Sequence, residues 1–413
     1  MIQLSPNRDR LYSLEEVRRH IAATYGPATK QMRRPIADCL GAILRADVRA
    51  QMAVPGHDNS AVDGYAVRQR DLVSDAAVTT LPVIGHAAAG HPLMGSLGWG
   101  AVQIFTGAVM PADFDTVVMS EDSTRRGRAV SVPSRIRCGA NVRPAGEDVP
   151  TGTVALRAGR RLRAADLGMA AALGRRTLAV SAPLRVAIIS NGDELIDSDA
   201  PRRVGQAYDS NRVMLSALLK QLGAVVTDLG IYRDESKTLA KAFSISSRKH
   251  DLILVTGGMS VGQEDHVRQA MTKAGGRIDL WRIAIKPGRP AALGQIKGCA
   301  FVGLPGNPVA SLVTFITIAR PLIDQLCGGD LMRAPLAQVM LGFSLRKKIN
   351  RQEFVRVRLE HDAKGRPWAH RYPSQGAGML SSLVASDGFA ILPRDAMKVR
   401  KGQWVDFLSF DER

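Results

Sequence analysis

The sequence predicts a multidomain α/β protein: a central doubly wound α/β domain, a β-rich N-terminal part and a small C-terminal β-domain. Three observations carry that prediction. Between Leu184 and Leu326, strand-length apolar runs alternate with helical periodicity. From about 50 to 150, Gly and Pro punctuate short β-branched runs, and beyond about 329 apolar residues recur at every second position. A chain of 413 residues, 45% hydrophobic and 23% charged, exceeds one ordinary core and suits several domains.

Taken in order, Ser13 followed by Glu16 forms a capping box, with Leu14, Val17 and Ile21 on one helical face, so a helix opens near residue 13. The runs Val83–Ile84, Val102–Phe105, Val117–Met119 and Ala129–Val132 read as strands, and Arg163–Leu173, rich in Ala, Leu and Met, returns to helix. In the central region Val186–Ile189 is a strand. Asn211 is placed to cap a helix whose Leu215, Leu218, Leu219 and Leu222 share a face. Ala224–Thr227, a helix from about Ser236, the strand Leu252–Val255 and a helix carrying Val267, Ala270, Met271 and Ala274 follow. A hairpin strand Ala300–Leu304 leads into a helix over 309–326. This order specifies a mostly parallel sheet with helices on both faces, and such sheets gather ligands beyond the carboxyl ends of their strands. Phe354–Leu359, Phe389–Leu392 and Val405–Leu408 supply the last strands.

The net charge of +18 and pI near 10.3 favour anionic partners. Basic residues are scattered in short groups, such as Arg125, Arg126 and Arg128, and aromatics are only 5%, so no stacking platform for nucleic acid is evident. An Arg-rich solvated surface is the plainer reading, and a small anionic substrate fits either. Cys39, Cys138, Cys299 and Cys327 lie far apart, without a C-x-x-C pair, as expected of reduced thiols. The N-terminus lacks an apolar run before a small-residue cleavage site, and no uninterrupted apolar stretch spans a bilayer, so a cytoplasmic protein without a membrane partner is expected.

Three loops emerge at strand ends: Ser190-Asn191-Gly192-Asp193-Glu194, Thr256-Gly257-Gly258-Met259-Ser260-Val261-Gly262 with Glu264 and Asp265, and Leu304-Pro305-Gly306-Asn307-Pro308. Glycine-rich strand-to-helix turns let backbone amides face an anion, and carboxylates beside them suit a hard divalent cation, so the pattern describes a phosphate bound with Mg²⁺. The glycine spacing is neither a Walker loop nor G-x-G-x-x-G, and an ordinary tight turn is the alternative. In Lys286-Pro287-Gly288-Arg289-Pro290 the prolines fix the backbone under two cations, either as oxyanion ligands or as solvated charge. The stretch Pro55–Ala66, with Asp58 and Asp63, is a constrained loop in which Asx-turns compete with chemistry. His57 and His266 have no metal-like partner at short spacing.

Eight strings, DNSAVDGYAVR (58–68), FTGAVMP (105–111), RPAGEDV (143–149), SNGDEL (190–195), YDSNR (208–212), TGGMSVGQED (256–265), KPGRP (286–290) and LPGNPVAS (304–311), resemble the molybdopterin molybdenumtransferase family, the MoeA/gephyrin-type insertases. The central loop alone is similar to molybdopterin adenylyltransferases as well; DNSAVDGY and RPAGED separate the two.

The resemblance implies an elongated homodimer of four-part chains: 1–50 with 147–178, then 51–146, a molybdopterin-binding 179–328, and 329–413. It implies insertion of molybdate into adenylyl-molybdopterin with Mg²⁺ and release of AMP, in a cleft between the central domain of one subunit and the β-rich parts of the other. Family positions fall on Asp63, Thr106, Glu194, Asp234, Asp265, Lys286, Pro305 and Pro308. Glu194 and Asp265 are expected at the metal and phosphate end, Lys286 on the anionic substrate, and Asp63 and Thr106 on the cross-subunit wall. Gly257, Gly258, Ser260, Gly262, Arg282, Arg289, Asn307 and Ser381 complete the expected substrate contacts. An adenylyltransferase and downstream molybdoenzymes or chaperones are the implied partners. Departures are Asn191 ahead of Gly192-Asp193-Glu194, where TGDE is frequent, Arg289 where KPGKP has lysine, and Arg282 where some members carry lysine. A gephyrin-type scaffold and an adenylyltransferase are the competing readings.

Overall fold

The computed structural model describes residues 10–73, 75–259, 266–331 and 336–410. Its N-terminal helix, Leu14–Thr24, starts at the expected box: the Ser13 amide donates to Glu16 Oε2 (2.8 Å), and the Glu16 amide donates back to Ser13 Oγ (3.2 Å). That backbone contact is the main reason the Glu16 carboxyl is held down at about 2. Val17 and Ile21 face inward.

Six strands form the central sheet in the order Val225–Tyr232, Arg185–Asn191, Leu252–Thr256, Cys299–Leu304, Ala292–Ile296, Gly276–Trp281. The first four are mutually parallel, and Ala292–Ile296 runs against both neighbours. Because side chains alternate across a strand, Val186 and Ile188 join one core and Ala187 and Ile189 another. The first core meets helix Ser210–Gln221 through Leu215 and Leu219, together with the helical run 308–326; the second meets helices Ser236–Ser246 and His266–Lys273. Both faces are therefore covered, as a parallel sheet requires.

Two expectations need correction here. The cap of the helix Ser210–Gln221 is Asp209, whose side chain accepts from the Arg212 amide; Asn211 lies inside the first turn and points into the protein. The helical run 308–326 is not regular: Pro308–Thr314 and Arg320–Leu326 flank a π-helical turn, Phe315–Ala319. Pro321 supplies the cause, since it has no amide to donate and its ring crowds the carbonyl one turn earlier, so the backbone widens there. This run is long and apolar enough to cross a membrane by composition, yet 67% of it is buried inside the fold, where its apolar residues complete the first core.

The β-rich part contains a sheet ordered Thr116–Met119, Gly64–Val67, Ala101–Ile104, Val78–Ala87, Ala129–Pro133, Thr124–Arg126. It packs two cores made only of residues between Val62 and Val142. Gly64 is fixed by close approach: a Cβ there would lie 1.9 Å from the Val118 carbonyl oxygen. Gly64→Ala is accordingly expected to cost on the order of 3 kcal/mol by overpacking, read as a lower urea midpoint.

Beyond residue 336, Gln352–His361, Pro367–Arg371, Ala337–Leu341, Trp404–Ser409 and Gly388–Leu392 pair in that order, and the last returns to the first, closing a small barrel. Alternation alone would put Phe354 and Arg356 on the outer face, opposite Glu353, Val355 and Val357. Instead every residue from Glu353 to Val357 is buried: Phe354 joins the first core, the loop 374–376 covers Arg356, and Ile285–Lys286 adds as a parallel strand along the edge at Gln352–Glu353.

Candidate functional site

Four strand ends converge at one edge of the central sheet, and two buried asparagines tie them together. Asn191, at the end of Arg185–Asn191, donates through Nδ2 to the carbonyls of Tyr232 and Arg233, both at 3.1 Å. Asn211 donates to Thr256 Oγ1 (2.8 Å) and to the Gly306 carbonyl (2.7 Å), joining the loop after Leu252–Thr256 to the loop after Cys299–Leu304. The Thr256 hydroxyl donates on to the Pro305 carbonyl (3.3 Å), and the Gly257 amide to the Leu304 carbonyl (3.1 Å). The loops bearing Gly192, Asp234, Gly257 and Pro305 are thus held as one surface.

Glycine is required at this surface for two reasons. Gly257 and Gly258 have φ of +89° and +63°, which L side chains rarely adopt. A Cβ would also fall 2.0 Å from the Asn191 carbonyl oxygen at Gly257, and 2.1 Å from Asn191 Oδ1 at Gly258. Beside them, Ser190 Oγ, Asn191 Oδ1, Asn211 Oδ1 and Ser311 Oγ are buried with no hydrogen-bond partner among the described residues. Unfilled capacity of this kind is costly unless a polar ligand meets it, so the lining suits a phosphate ester or a polar heterocycle.

The acids lie around that lining. Glu194 is exposed and its carboxylate folds over Gly192, where a Cβ would lie 2.6 Å from Oε2. Asp193 Oδ1 accepts from the Asp234 amide (3.2 Å), bringing Asp193 and Asp234 to adjoining strand ends. These are hard oxygen donors, the type magnesium takes. Among the described residues no group of three or more His, Cys, Asp or Glu side chains forms a metal site by itself. Ser260, Gly262 and Asp265, expected at the substrate and the metal, lie outside the described residues.

Lys286 and Arg289 occupy the turn that packs on the helical run beginning at Pro308: a Cβ on Gly288 would lie 2.8 Å from Thr314 Oγ1. Both side chains reach solvent, and Lys286 Nζ lies 3.2 Å from Glu353 Oε2. Arg282 takes a left-handed backbone (φ +65°), its carbonyl accepting from the Tyr12 amide at 3.1 Å. The Val309 amide donates to the Ala377 carbonyl (3.1 Å), bringing the segment that contains Ser381 beside Pro308; Gly378 sits against Asn307 Oδ1. Ser381 is exposed at the start of a short helix, Ser381–Val384.

Arg356 went unremarked in the sequence, where it reads as one polar residue of an alternating strand. Its side chain is 1% exposed, and its guanidinium donates to the carbonyls of Gly376 (3.1 Å) and Ser374 (3.4 Å), pinning the segment that leads to Ser381. Burial lowers its pKa from the ordinary arginine value. The organising roles of Asn191 and Asn211 were also missed; their burial is the only signal, and a sequence does not display it.

Asp63 and Thr106 form a second polar group, on the β-rich sheet. The Thr106 amide (2.8 Å) and hydroxyl (2.7 Å) both donate to Asp63 Oδ1, while the Asp63 carbonyl accepts from the Ser120 amide (3.0 Å). These two donors, the amide first, hold the Asp63 carboxyl below the usual aspartate range although the side chain is exposed. A depressed value means that the contact is complete above the ordinary aspartate pKa and is lost only as pH falls through the lower one. Thr106→Val is expected to raise the Asp63 value toward the ordinary one, measured by ¹³C titration of its carboxylate.

Residues 12–174 match the MoeA N-terminal region (domain I and II), 187–325 a family described as probable molybdopterin binding domain, and 338–410 the MoeA C-terminal region (domain IV). The chain is 35% identical over 374 residues to a molybdopterin molybdenumtransferase of Haemophilus influenzae, covering 89% of this chain and 91% of that one. It is 32% identical over 403 residues to molybdopterin molybdenumtransferase 2 of Mycobacterium tuberculosis, covering 94% and 97%. The crystal structure of the molybdopterin biosynthesis moeA protein from Pyrococcus horikoshii superposes with a TM-score of 0.80 at 25% identity, covering 97% of this chain and 100% of that one.

Proposed function

The chain belongs to the molybdopterin molybdenumtransferase family of molybdenum-cofactor biosynthesis, and from that premise we propose that its substrates are molybdate and adenylyl-molybdopterin, that it uses Mg²⁺, and that it releases AMP. The observation that carries this reading is the strand-end surface, where buried polar atoms without partners sit behind two glycines that admit no side chain. The pterin and its phosphate lie on that surface, with the Gly257–Gly258 backbone close against them. Lys286 and Arg289 bind the anionic substrate, supported by Ser381 and by Asn307 between Pro305 and Pro308.

Glu194, together with Asp265, would hold magnesium, and Asp234 lies at the neighbouring strand end. When bound, that ion screens the charge of the phosphate against these carboxylates. The dithiolene sulfurs that take molybdenum belong to the pterin; all four cysteines of the chain are free and at distant positions, which suits a protein whose thiols are not the ligands. Asp63, kept ionised by its Thr106 contacts, serves in this reading as the carboxylate that steers molybdate or accepts a proton during insertion.

From the family resemblance we assign Asp63 and Thr106, which pair with each other on a sheet with its own cores, to the site of a second subunit in a homodimer. The reaction is placed in the cytoplasm, between an adenylyltransferase that supplies the substrate and apo-molybdoenzymes or their chaperones that take the product. The test is an anaerobic incubation of the purified protein with adenylyl-molybdopterin, Mg²⁺ and molybdate, following AMP. Molybdate-dependent AMP release without ATP is expected, and its loss in Glu194→Ala. Tight binding without turnover would point to a scaffold instead, and ATP-dependent adenylylation of molybdopterin to an adenylyltransferase.

A further inference from the structure

Lys286 is an exposed lysine on a two-residue strand, and an ordinary lysine there would wander. Its backbone is fixed from two sides. Ile285 and Lys286 pair in parallel with Gln352 and Glu353 of the C-terminal barrel, and Gly288 is wedged against Ile285 and Thr314. Among the described residues the side chain is held by Glu353, whose carboxylate is 3% exposed and takes Lys286 Nζ on Oε2 (3.2 Å) and Arg351 Nε on Oε1 (2.9 Å). Lys286 itself stays 53% exposed, its ammonium resting on a buried carboxylate. A third cation nearby, Lys347, is satisfied elsewhere, donating to the carbonyls of Pro393 (2.8 Å), Ala396 (3.0 Å) and Lys348 (3.2 Å).

We propose that Glu353 is a positioning residue for the transfer reaction: from the C-terminal barrel it sets where the Lys286 ammonium stands beside the central sheet, and so makes the barrel part of the substrate site without touching substrate. The proposal rests on the assignment of Lys286 to the anionic substrate. A buried carboxylate is expensive to keep charged, and here it is balanced by two cations, one of which faces the site. Arg351 is the anchoring partner and Lys286 the one presented outward.

The test is a double-mutant cycle in the full-length protein: wild type, Lys286→Ala, Glu353→Gln and the pair, with kcat and KM for molybdate measured beside thermal unfolding. Each single variant is expected to lose about ten-fold in kcat/KM, and the pair to be no worse than Lys286→Ala alone. Losses that multiply, or an unchanged kcat/KM in Glu353→Gln, would overturn the proposal. Because Glu353→Gln also disturbs a buried ion pair, Arg351→Met serves as the structural control. It is expected to lower the melting temperature while keeping kcat/KM within about two-fold; a loss as large as that of Glu353→Gln would mean that the cluster acts only through stability. Acetic anhydride labelling of Lys286, read by peptide mass, reports its placement without turnover. Faster labelling in Glu353→Gln supports the clamp and an unchanged rate contradicts it, whether or not Lys286→Ala proves active, so failure of the clamp is separable from failure of the substrate assignment.

Discussion

Gly257→Ala is expected to abolish molybdenum transfer and to destabilise the central domain by roughly 3 kcal/mol or more. The two contributions are separable on paper: a φ of +89°, unfavourable for any L side chain, and a Cβ placed 2.0 Å from the Asn191 carbonyl oxygen. Relief requires the loop to move off the end of Arg185–Asn191, which breaks the contact from the Gly257 amide to the Leu304 carbonyl and with it the shared strand-end surface. Gly168 is the natural control. It sits inside the helix Ala164–Ala172 with nothing within 4 Å of its added Cβ, so Gly168→Ala should stabilise by about 1 kcal/mol and leave turnover alone. Urea unfolding and AMP release measured on both variants check the pair.

The second large effect is expected at Asp63. Its side chain is exposed and its described partners are the Thr106 amide and hydroxyl, so Asp63→Ala should still fold and unfold cooperatively, with only a small shift in its melting temperature. If the carboxylate serves the substrate, the same variant loses on the order of 10²-fold in turnover. Asp63→Asn separates charge from shape: it keeps an oxygen for Thr106 and removes the base, so it should be nearly as inactive. A variant that unfolds, or one that keeps full turnover, contradicts this assignment.

The sequence made the central sheet legible because its strands are buried on both faces and its helices carry unbroken apolar stripes, as in Leu215 and Leu219 against Val186 and Ile188. The position of the candidate site followed from that order, since the loops holding Glu194, Gly257 and Pro305 had to emerge on one edge. Adjacent residues of equal capping ability were not legible. Asp209 and Asn211 both suit an N-cap, and only the backbone decides that Asp209 does the capping while Asn211 turns inward to Thr256 and Gly306. Pairings across long separations were equally hidden: nothing local to Lys286 announces Glu353, and an alternating strand gives no hint that Arg356 is covered by the loop 374–376. In each case the deciding contact comes from a different element, which periodicity along one segment does not encode.

The account's central claim is that molybdenum transfer occurs at a site assembled from the strand-end surface of one subunit and the Asp63–Thr106 pair of another. Its most direct test mixes an Asp63→Ala chain with a Lys286→Ala chain, expected alone to keep about one-hundredth and about one-tenth of the wild-type activity, by denaturing and refolding them together, and measures molybdate-dependent AMP release. A composite site predicts recovery to roughly a quarter of the wild-type rate, because half of the dimers are then mixed and each carries one intact site. A mixture no more active than its separate parents would contradict a shared site and return both residues to a single chain.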